Sequence, residues 1–228
     1  MPEIKLIETG DGSSSLLIPE MNETYHSTHG AVTESEYVFL KMGLEYFRQV
    51  NPGKGDVRIF EVGFGTGLNV WLTALASEEN EYSIDYASLE KFPLRPQLVE
   101  QLNYGKLKKD SRSNKLFEMI HQAGWEKRTR VTDNFSLTKI EADIVDVDLP
   151  EKSFDIIYFD AFAPSRQPEM WSREVLTKMH TLLDVGGIFV TYCAQGQFKR
   201  DLKEAGFVTE ELDGPPGKKE MTRGTKEL

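Results

Sequence analysis

The chain has 228 residues, a formal net charge of −10 and 39% hydrophobic residues, which fits one large α/β domain with a substantial core. The acidic balance argues against nonspecific nucleic-acid binding through overall charge, though not against a local basic face. No apolar run approaches the roughly 20 residues of a membrane span, and the N-terminus lacks the basic-then-apolar order of a secretory signal.

Ile4, Leu6, Leu16, Leu17 and Ile18 alternate weakly around Gly10-Asp11-Gly12 and predict an N-terminal hairpin. From Thr33 to Val50 the apolar positions Tyr37, Val38, Leu40, Met42, Leu44 and Phe47 recur at helical spacing. Thr33 or Ser35 is the expected cap, and Asn51-Pro52-Gly53 ends the helix. Residues 1–50 thus read as an extension and residues 55–228 as the core of a single domain, 1–228. His26 and His29 have no nearby His or Cys partner and suit a loop or pocket edge better than a metal.

An apolar run from Val57 to Val62 contains Glu61 and leads into Gly63, Gly65 and Gly67; a helical pattern starts at Leu68. This is a strand, a tight turn and a helix N-terminus, where bare backbone and free N–H groups can meet a ligand. A dinucleotide fingerprint, G-x-G-x-x-G, fails: its third glycine would fall at Leu68 or Val70. A P-loop is absent as well. An acid followed by G-x-G-x-G is similar to the first motif of S-adenosylmethionine (AdoMet) methyltransferases, set against the plainer reading of a turn that binds nothing.

Further along, a helix to about Ser77 and a strand from about Ser83 to Leu89 lead to Glu90. Pro93 to Gln122 reads as mostly helical, with a polar loop from Lys106 to Lys115; Thr129–Thr132 and Ser136–Ile140 read as short strands. Then come a strand at Phe154–Phe159, an amphipathic helix at Ser172–Leu183 and a strand at Gly187–Tyr192 after a Gly-Gly turn. A helix at Gln197–Ala205 and strands at Phe207–Leu212 and Glu220–Arg223 complete the chain. The single cysteine, Cys193, makes no internal disulfide; it follows an apolar strand and suits packing better than nucleophilic attack. A reducing, cytoplasmic setting is the expectation. Alternating strands and helices imply a mostly parallel sheet covered on both faces.

In such a sheet, ligands sit beyond the carboxyl ends of the strands. Glu90 is placed to accept from both ribose hydroxyls of a nucleoside, with a helix-entry acid as the plain alternative. Asp143 could accept from an adenine amino group while Ile144 packs on the ring, with Asp146 and Asp148 competing for that register. Asp160, followed by Phe162, Pro164 and Pro168, could hold an amine or take its proton in a rigid-walled pocket. Lys199, Arg200, Lys203, Lys218, Lys219, Arg223 and Lys226 cluster near the C-terminus, a solvated run on the plain reading.

Several segments together resemble the methyltransferase domain of the MnmC-type bifunctional tRNA-modifying proteins. They are Gly63-Phe64-Gly65-Thr66-Gly67-Leu68-Asn69, Glu90-Lys91-Phe92-Pro93-Leu94, and Asp160-Ala161-Phe162-Ala163-Pro164 with Pro168-Glu169-Met170-Trp171. Phe198-Lys199-Arg200, Gly217-Lys218-Lys219-Glu220-Met221, Tyr25-His26-Ser27 and Glu34 to Phe39 fit the same family, so that the resemblance runs from about Thr24 to Gly224.

The resemblance implies an α/β, Rossmann-like, class I AdoMet-dependent methyltransferase with a mostly parallel seven-stranded sheet and a small N-terminal extension. Its expected reaction is methyl transfer from AdoMet to the amine of 5-aminomethyl-(2-thio)uridine at the tRNA wobble position. Carried over by motif, Glu61, Gly63, Gly65, Gly67 and Asn69 hold the methionyl part, Glu90 and Lys91 the ribose, and Asp143 and Ile144 the adenine. Asp160 orients or deprotonates the amine, Phe162 walls the base pocket, and Tyr25 and Ser27 close the site. Lys199, Arg200, Lys218 and Lys219 become phosphate contacts for the tRNA anticodon region. The family's FAD-dependent oxidase domain has no counterpart in these residues, so the expectation is a stand-alone, MnmD-like form without FAD or metal, acting after a separate oxidase. Other readings compete: an AdoMet-dependent methyltransferase, or an aminopropyltransferase of the spermidine-synthase type, acting on another amine, and a non-catalytic tRNA- or AdoMet-binding module.

Overall fold

The computed structural model describes residues 3–108 and 111–227. The N-terminal hairpin forms as expected, β1 (Lys5–Glu8) against β2 (Ser14–Ile18), and a two-residue β3 (Glu23–Thr24) extends it to three strands. Its turn also caps the next helix. Asp11 accepts from the Thr33 N–H and hydroxyl at 2.9 Å each, and the Thr9 and Ser13 hydroxyls each accept from the Ala31 N–H at 3.2 Å. These bonds satisfy donors that a helix start leaves open. The expected Thr33 or Ser35 cap is therefore corrected: Gly30 occupies the N-cap, and Ser35 is buried inside the helix. Only glycine fits at position 30, where φ is +156° and an added Cβ would lie 2.6 Å from the Asp11 carboxylate.

The helical rod that follows has three continuous parts: α1 (Ala31–Ser35), a wider π-wound stretch (Glu36–Glu45) and α2 (Tyr46–Val50). It buries Val38, Phe39, Leu44 and Phe47. The strands β4 (Asp56–Val62), β5 (Ser83–Glu90), β6 (Arg128–Arg130), β7 (Phe135–Glu141), β8 (Phe154–Phe159), β9 (Leu183–Thr191), β10 (Val208–Asp213) and β11 (Glu220–Thr225) form one sheet. Their order is β10-β11-β9-β8-β4-β5-β7-β6. β7, β5, β4, β8 and β9 are parallel, and β11, β10 and β6 antiparallel to their neighbours. The seven strands from β10 to β7 make the expected mostly parallel sheet; β6 adds a three-residue edge.

On one face the rod packs with α3 (Leu68–Glu79) and α6 (Ser111–Gln122), and on the other lie α7 (Arg173–Leu182) and α8 (Gly196–Glu204). Short helices α4 (Pro96–Val99) and α5 (Tyr104–Leu107) link β5 to α6. Two expectations need correction. Residues Ser111 to Lys115, read as loop, belong to α6, because burying Ser113, Leu116, Phe117 and Ile120 on one face extends the helix backwards. Strand β9 begins at Leu183 and runs through the Gly186-Gly187 pair, where Gly186 has φ +80° and the pairing with β8 shifts register. The glycines make an irregularity within a strand rather than a turn before one. Among the described residues no helix is long and apolar enough to cross a membrane.

Candidate active site

From β4 the chain winds through β5 to β7, then returns to β8 and β9 on the other side. The loops leaving β4 and β8 part at this reversal, where open α/β sheets bind ligands. A cavity of about 1440 Å³ opens there, above the roughly 300–1,000 Å³ usual for one small molecule. It has room for two nucleoside-sized groups.

The glycine turn forms part of its floor. Gly63 has φ +99°, and a Cβ there would lie 2.7 Å from the Asp160 carbonyl oxygen. Gly65 has φ +50° and faces the Tyr25 ring. Both line the cavity, so bare backbone meets the space a ligand would fill. Gly67 does not line it: it is the N-cap of α3, and its missing Cβ makes room for His121 and the Phe64 ring. Glu90, at the end of β5, accepts the Gly65 N–H at 2.9 Å and the Phe92 N–H at 2.8 Å. Lys91 pairs with Asp143 and holds its carboxyl below the usual range, helped by the Val145 N–H. Asp143 and the buried Ile144 line the cavity; Asp146 and Asp148 do not.

Asp160 follows β8 across from the glycine turn. Asn69, in the first turn of α3, donates its amide N–H to Asp160 Oδ2 at 2.9 Å. Burial, and next the nearby charge of Glu34, push the Asp160 pKa up to about 7. The group therefore exchanges a proton near neutrality, which suits an acid–base role. Phe162 meets the Tyr25 ring edge-on at 5.1 Å. Its backbone is pinned at both ends: the N–H donates to Gln167 Oε1 at 3.1 Å, and the carbonyl accepts the Trp171 indole N–H at 2.8 Å. Trp171 ends the short 3-10 helix Pro168–Trp171 and is buried, so the proline-rich run braces the wall that Phe162 presents.

Glu61 lies beneath this floor, fully buried and outside the cavity lining. Ser88 donates to it at 2.5 Å, and burial pushes its pKa up to about 8. The basic residues of the C-terminal region do not share one face. Lys218 lines the cavity, paired with Glu34 and 3.8 Å above the Tyr192 ring. Lys199 is engaged by Glu211 at 3.0 Å and Glu220 at 3.3 Å. Arg223 and Lys226 are buried, the first against Glu210 and the second on the His180 and Leu183 carbonyls. Arg200, Lys203 and Lys219 are exposed and lie off the cavity.

The extension supplies the roof. Tyr25 and Ser27 both line the cavity, and the Ser27 N–H donates to Glu34 at 2.9 Å. His26 lies between Ser15 and Thr66, and burial pushes its pKa down to about 4, so the ring is neutral. Glu34 and Tyr192 were not singled out from the sequence as site residues. An acid in a first helical turn and a tyrosine at a strand end look ordinary until the extension folds over the core. Among the described residues no group of three or more His, Cys, Asp or Glu side chains is arranged to hold a metal ion.

Known proteins are similar to this chain. A family described as S-adenosyl-L-methionine-dependent methyltransferase matches residues 110–227. The chain is 32% identical over 218 residues to the "tRNA 5-methylaminomethyl-2-thiouridine biosynthesis bifunctional protein MnmC" of Pseudoalteromonas atlantica, covering 89% of this chain and 31% of the relative. The protein of the same name from Chromobacterium violaceum is 30% identical over 210 residues, covering 89% and 32%. The chain thus spans about a third of the length of these curated relatives. The crystal structure of MNMC2 from Aquifex aeolicus superimposes with a TM-score of 0.79 over 100% of this chain and 72% of that one, at 23% identity, a likeness of fold.

Proposed function

The chain belongs to the S-adenosyl-L-methionine-dependent methyltransferase family, in the branch of the MnmC methyltransferase domains, and we propose that it methylates the amine of 5-aminomethyl-(2-thio)uridine at the tRNA wobble position. The observation that carries this reading is Asp160, held by Asn69 at the edge of a cavity with room for donor and nucleoside together. The product is the 5-methylaminomethyl nucleoside.

AdoMet fits the residues present. Gly63 and Gly65 offer bare backbone, Asn69 an amide, Glu90 a carboxylate for the ribose diol, and Asp143 with Ile144 an acceptor and an apolar face for adenine. Lys91 keeps Asp143 ionised for that task. Bound AdoMet supplies a methyl group on a positively charged sulfur. The residues opposite supply alignment, the main source of rate in a displacement of this kind. Asp160 accepts from the amine nitrogen and takes the proton the ammonium must shed before its lone pair can attack. Phe162 and Tyr25 wall the uracil ring, Ser27 and Lys218 close over it, and Arg200 and Lys219 are the exposed cations available to anticodon phosphates. A flavin-dependent oxidase activity that exposes the amine would act upstream, in the cytoplasm.

The test is incubation with methyl-labelled AdoMet and tRNA from cells that lack this modification, followed by nucleoside analysis. Label should appear in the 5-methylaminomethyl nucleoside when the tRNA carries the aminomethyl group, and not when it carries the carboxymethylaminomethyl group. No label in the aminomethyl form, with AdoMet bound, would overturn the substrate assignment.

A further inference from the structure

Several buried polar atoms near the glycine turn lack a partner, among them one oxygen each of Glu61 and Asn69. Glu61 on β4 has one oxygen bonded to the Ser88 hydroxyl, while its Oε1 is buried without a partner. Asn69 donates through Nδ2 to Asp160, while its Oδ1 is likewise buried without a partner. Asn69 and Tyr86 lie within hydrogen-bonding reach of the Glu61 carboxyl. An ionised Glu61 could accept from the Tyr86 hydroxyl, which is also buried without a partner, but Asn69 Oδ1 would then stay bare in a site without water access and carry its full desolvation cost. A carboxyl O–H pointing at Asn69 Oδ1 closes both gaps with a single bond and can still accept from Tyr86.

The amide could also be turned over, so that Nδ2 serves an ionised Glu61 and Oδ1 receives a proton held on Asp160. Burial decides between the two. Glu61 has no exposed surface, whereas Asp160 borders the cavity and keeps partial exposure. Charge is less costly at the wetter of two coupled acids. The groups bearing on Glu61 are Tyr86 and Ser88 from β5, Tyr158 from β8, Asp160 beyond it and Asn69 from α3. Glu45 of the helical rod acts on Tyr158. No cation is among these groups, so a charge on Glu61 would be met there by neutral donors alone.

We propose that Glu61 is a protonated positioning residue, which through Asn69 orients the amide so that Asp160 is the ionised acceptor for the substrate amine. This role rests on the reading of Asp160 given above. It separates Glu61 from the cofactor contact that the motif resemblance implies, and it makes Asn69 the link between a neutral acid inside the sheet and a charged one in the cavity.

The experiment uses the full chain with carboxyl-labelled glutamate. Glu61, assigned by its loss in Glu61→Gln, should keep the protonated carboxyl signal in NMR until about pH 8, and the Asn69 side-chain amide should move in the same step. Glu61→Leu should lower the single-turnover methylation rate about tenfold or more at undiminished S-adenosylhomocysteine affinity. Glu61→Gln, which still offers an N–H to Asn69, should recover most of that rate and remove the pH step in the amide signal. A Glu61 signal titrating in the ordinary carboxylate range overturns the proposal, as does a Gln variant as slow as the Leu variant. Weakened S-adenosylhomocysteine binding with single-turnover rate preserved at saturation also overturns it, and returns Glu61 to the cofactor. If wild-type protein binds the cofactor but leaves the tRNA unmethylated, the substrate reading fails, and the NMR titration still decides the state of Glu61.

Discussion

The floor and the roof of the cavity are built on different physical terms. The floor comes from strand ends of a buried parallel sheet: bare glycine backbone, Glu90 clamped on two N–H groups, and Asp160 held by Asn69. The roof comes from the N-terminal extension and the β10–β11 hairpin tip, tied by the Lys218–Glu34 pair and by the close approach of Gly217 to His29. Floor groups are fixed by the sheet and its hydrogen bonds. The two parts of the roof are joined to each other by the Lys218–Glu34 ion pair, whose lysine is partly exposed, and that exposure lowers the worth of the pair and opens it to screening by salt. Chemistry should therefore fail when the floor is altered, and substrate capture should weaken when the roof is.

The largest effect is expected at Asp160. Asp160→Ala should cut turnover about 10²–10⁴-fold, the range for loss of a general base, while calorimetric titration with S-adenosylhomocysteine shows affinity within a few-fold of wild type. Near-wild-type turnover would remove Asp160 from the chemistry. Next comes a stability effect beneath the floor. The Glu61 pKa is raised from 4.5 to about 8 in the folded protein, so the native state binds this proton more tightly than the unfolded chain does. That contribution is complete below about pH 4.5 and is lost as pH climbs through about 8. Denaturant midpoints for wild type should fall over this window by the equivalent of about 2–4 kcal/mol, and Glu61→Gln should flatten most of the decline. Equal slopes in both proteins would show that Glu61 ionises alike folded and unfolded.

Glu90→Ala should weaken S-adenosylhomocysteine binding by about 1–3 kcal/mol, because it removes the carboxylate proposed to hold the ribose diol together with the acceptor for the Gly65 N–H. The smallest effect belongs to the roof. Lys218→Ala should raise KM for tRNA a few-fold with little change in cofactor affinity, and the difference should shrink as salt is added. A tRNA KM independent of Lys218 at low salt would erase the distinction between floor and roof on the substrate side.

The floor was the legible half. Strand, turn and helix follow from Val57–Val62, the glycine spacing and the pattern from Leu68, and strand-end acids mark themselves by following apolar runs. Asp143 could be separated from Asp146 and Asp148 only once β7 and the loop after it were placed. Glu61 was legible as a motif acid but not as a buried one, because burial depends on which strands flank β4. The C-terminal cations read as one basic cluster, yet neighbouring positions on β11 and the hairpin tip point to a buried ion pair, a cavity and open solvent in turn.

By itself, then, the chain's order of apolar runs, glycines and strand-end acids determined an α/β core with a candidate site after β4, β5 and β8, since periodicity and turn chemistry are local properties. Tertiary structure decided that Asp11 caps a distant helix, that Lys218 pairs with Glu34 at the cavity, and that the buried Glu61 and the cavity-lining Asp160 both come near the Asn69 amide. Each of these joins residues far apart in sequence, and no local pattern encodes which of two carboxylates ends up dry and which ends up facing the cavity.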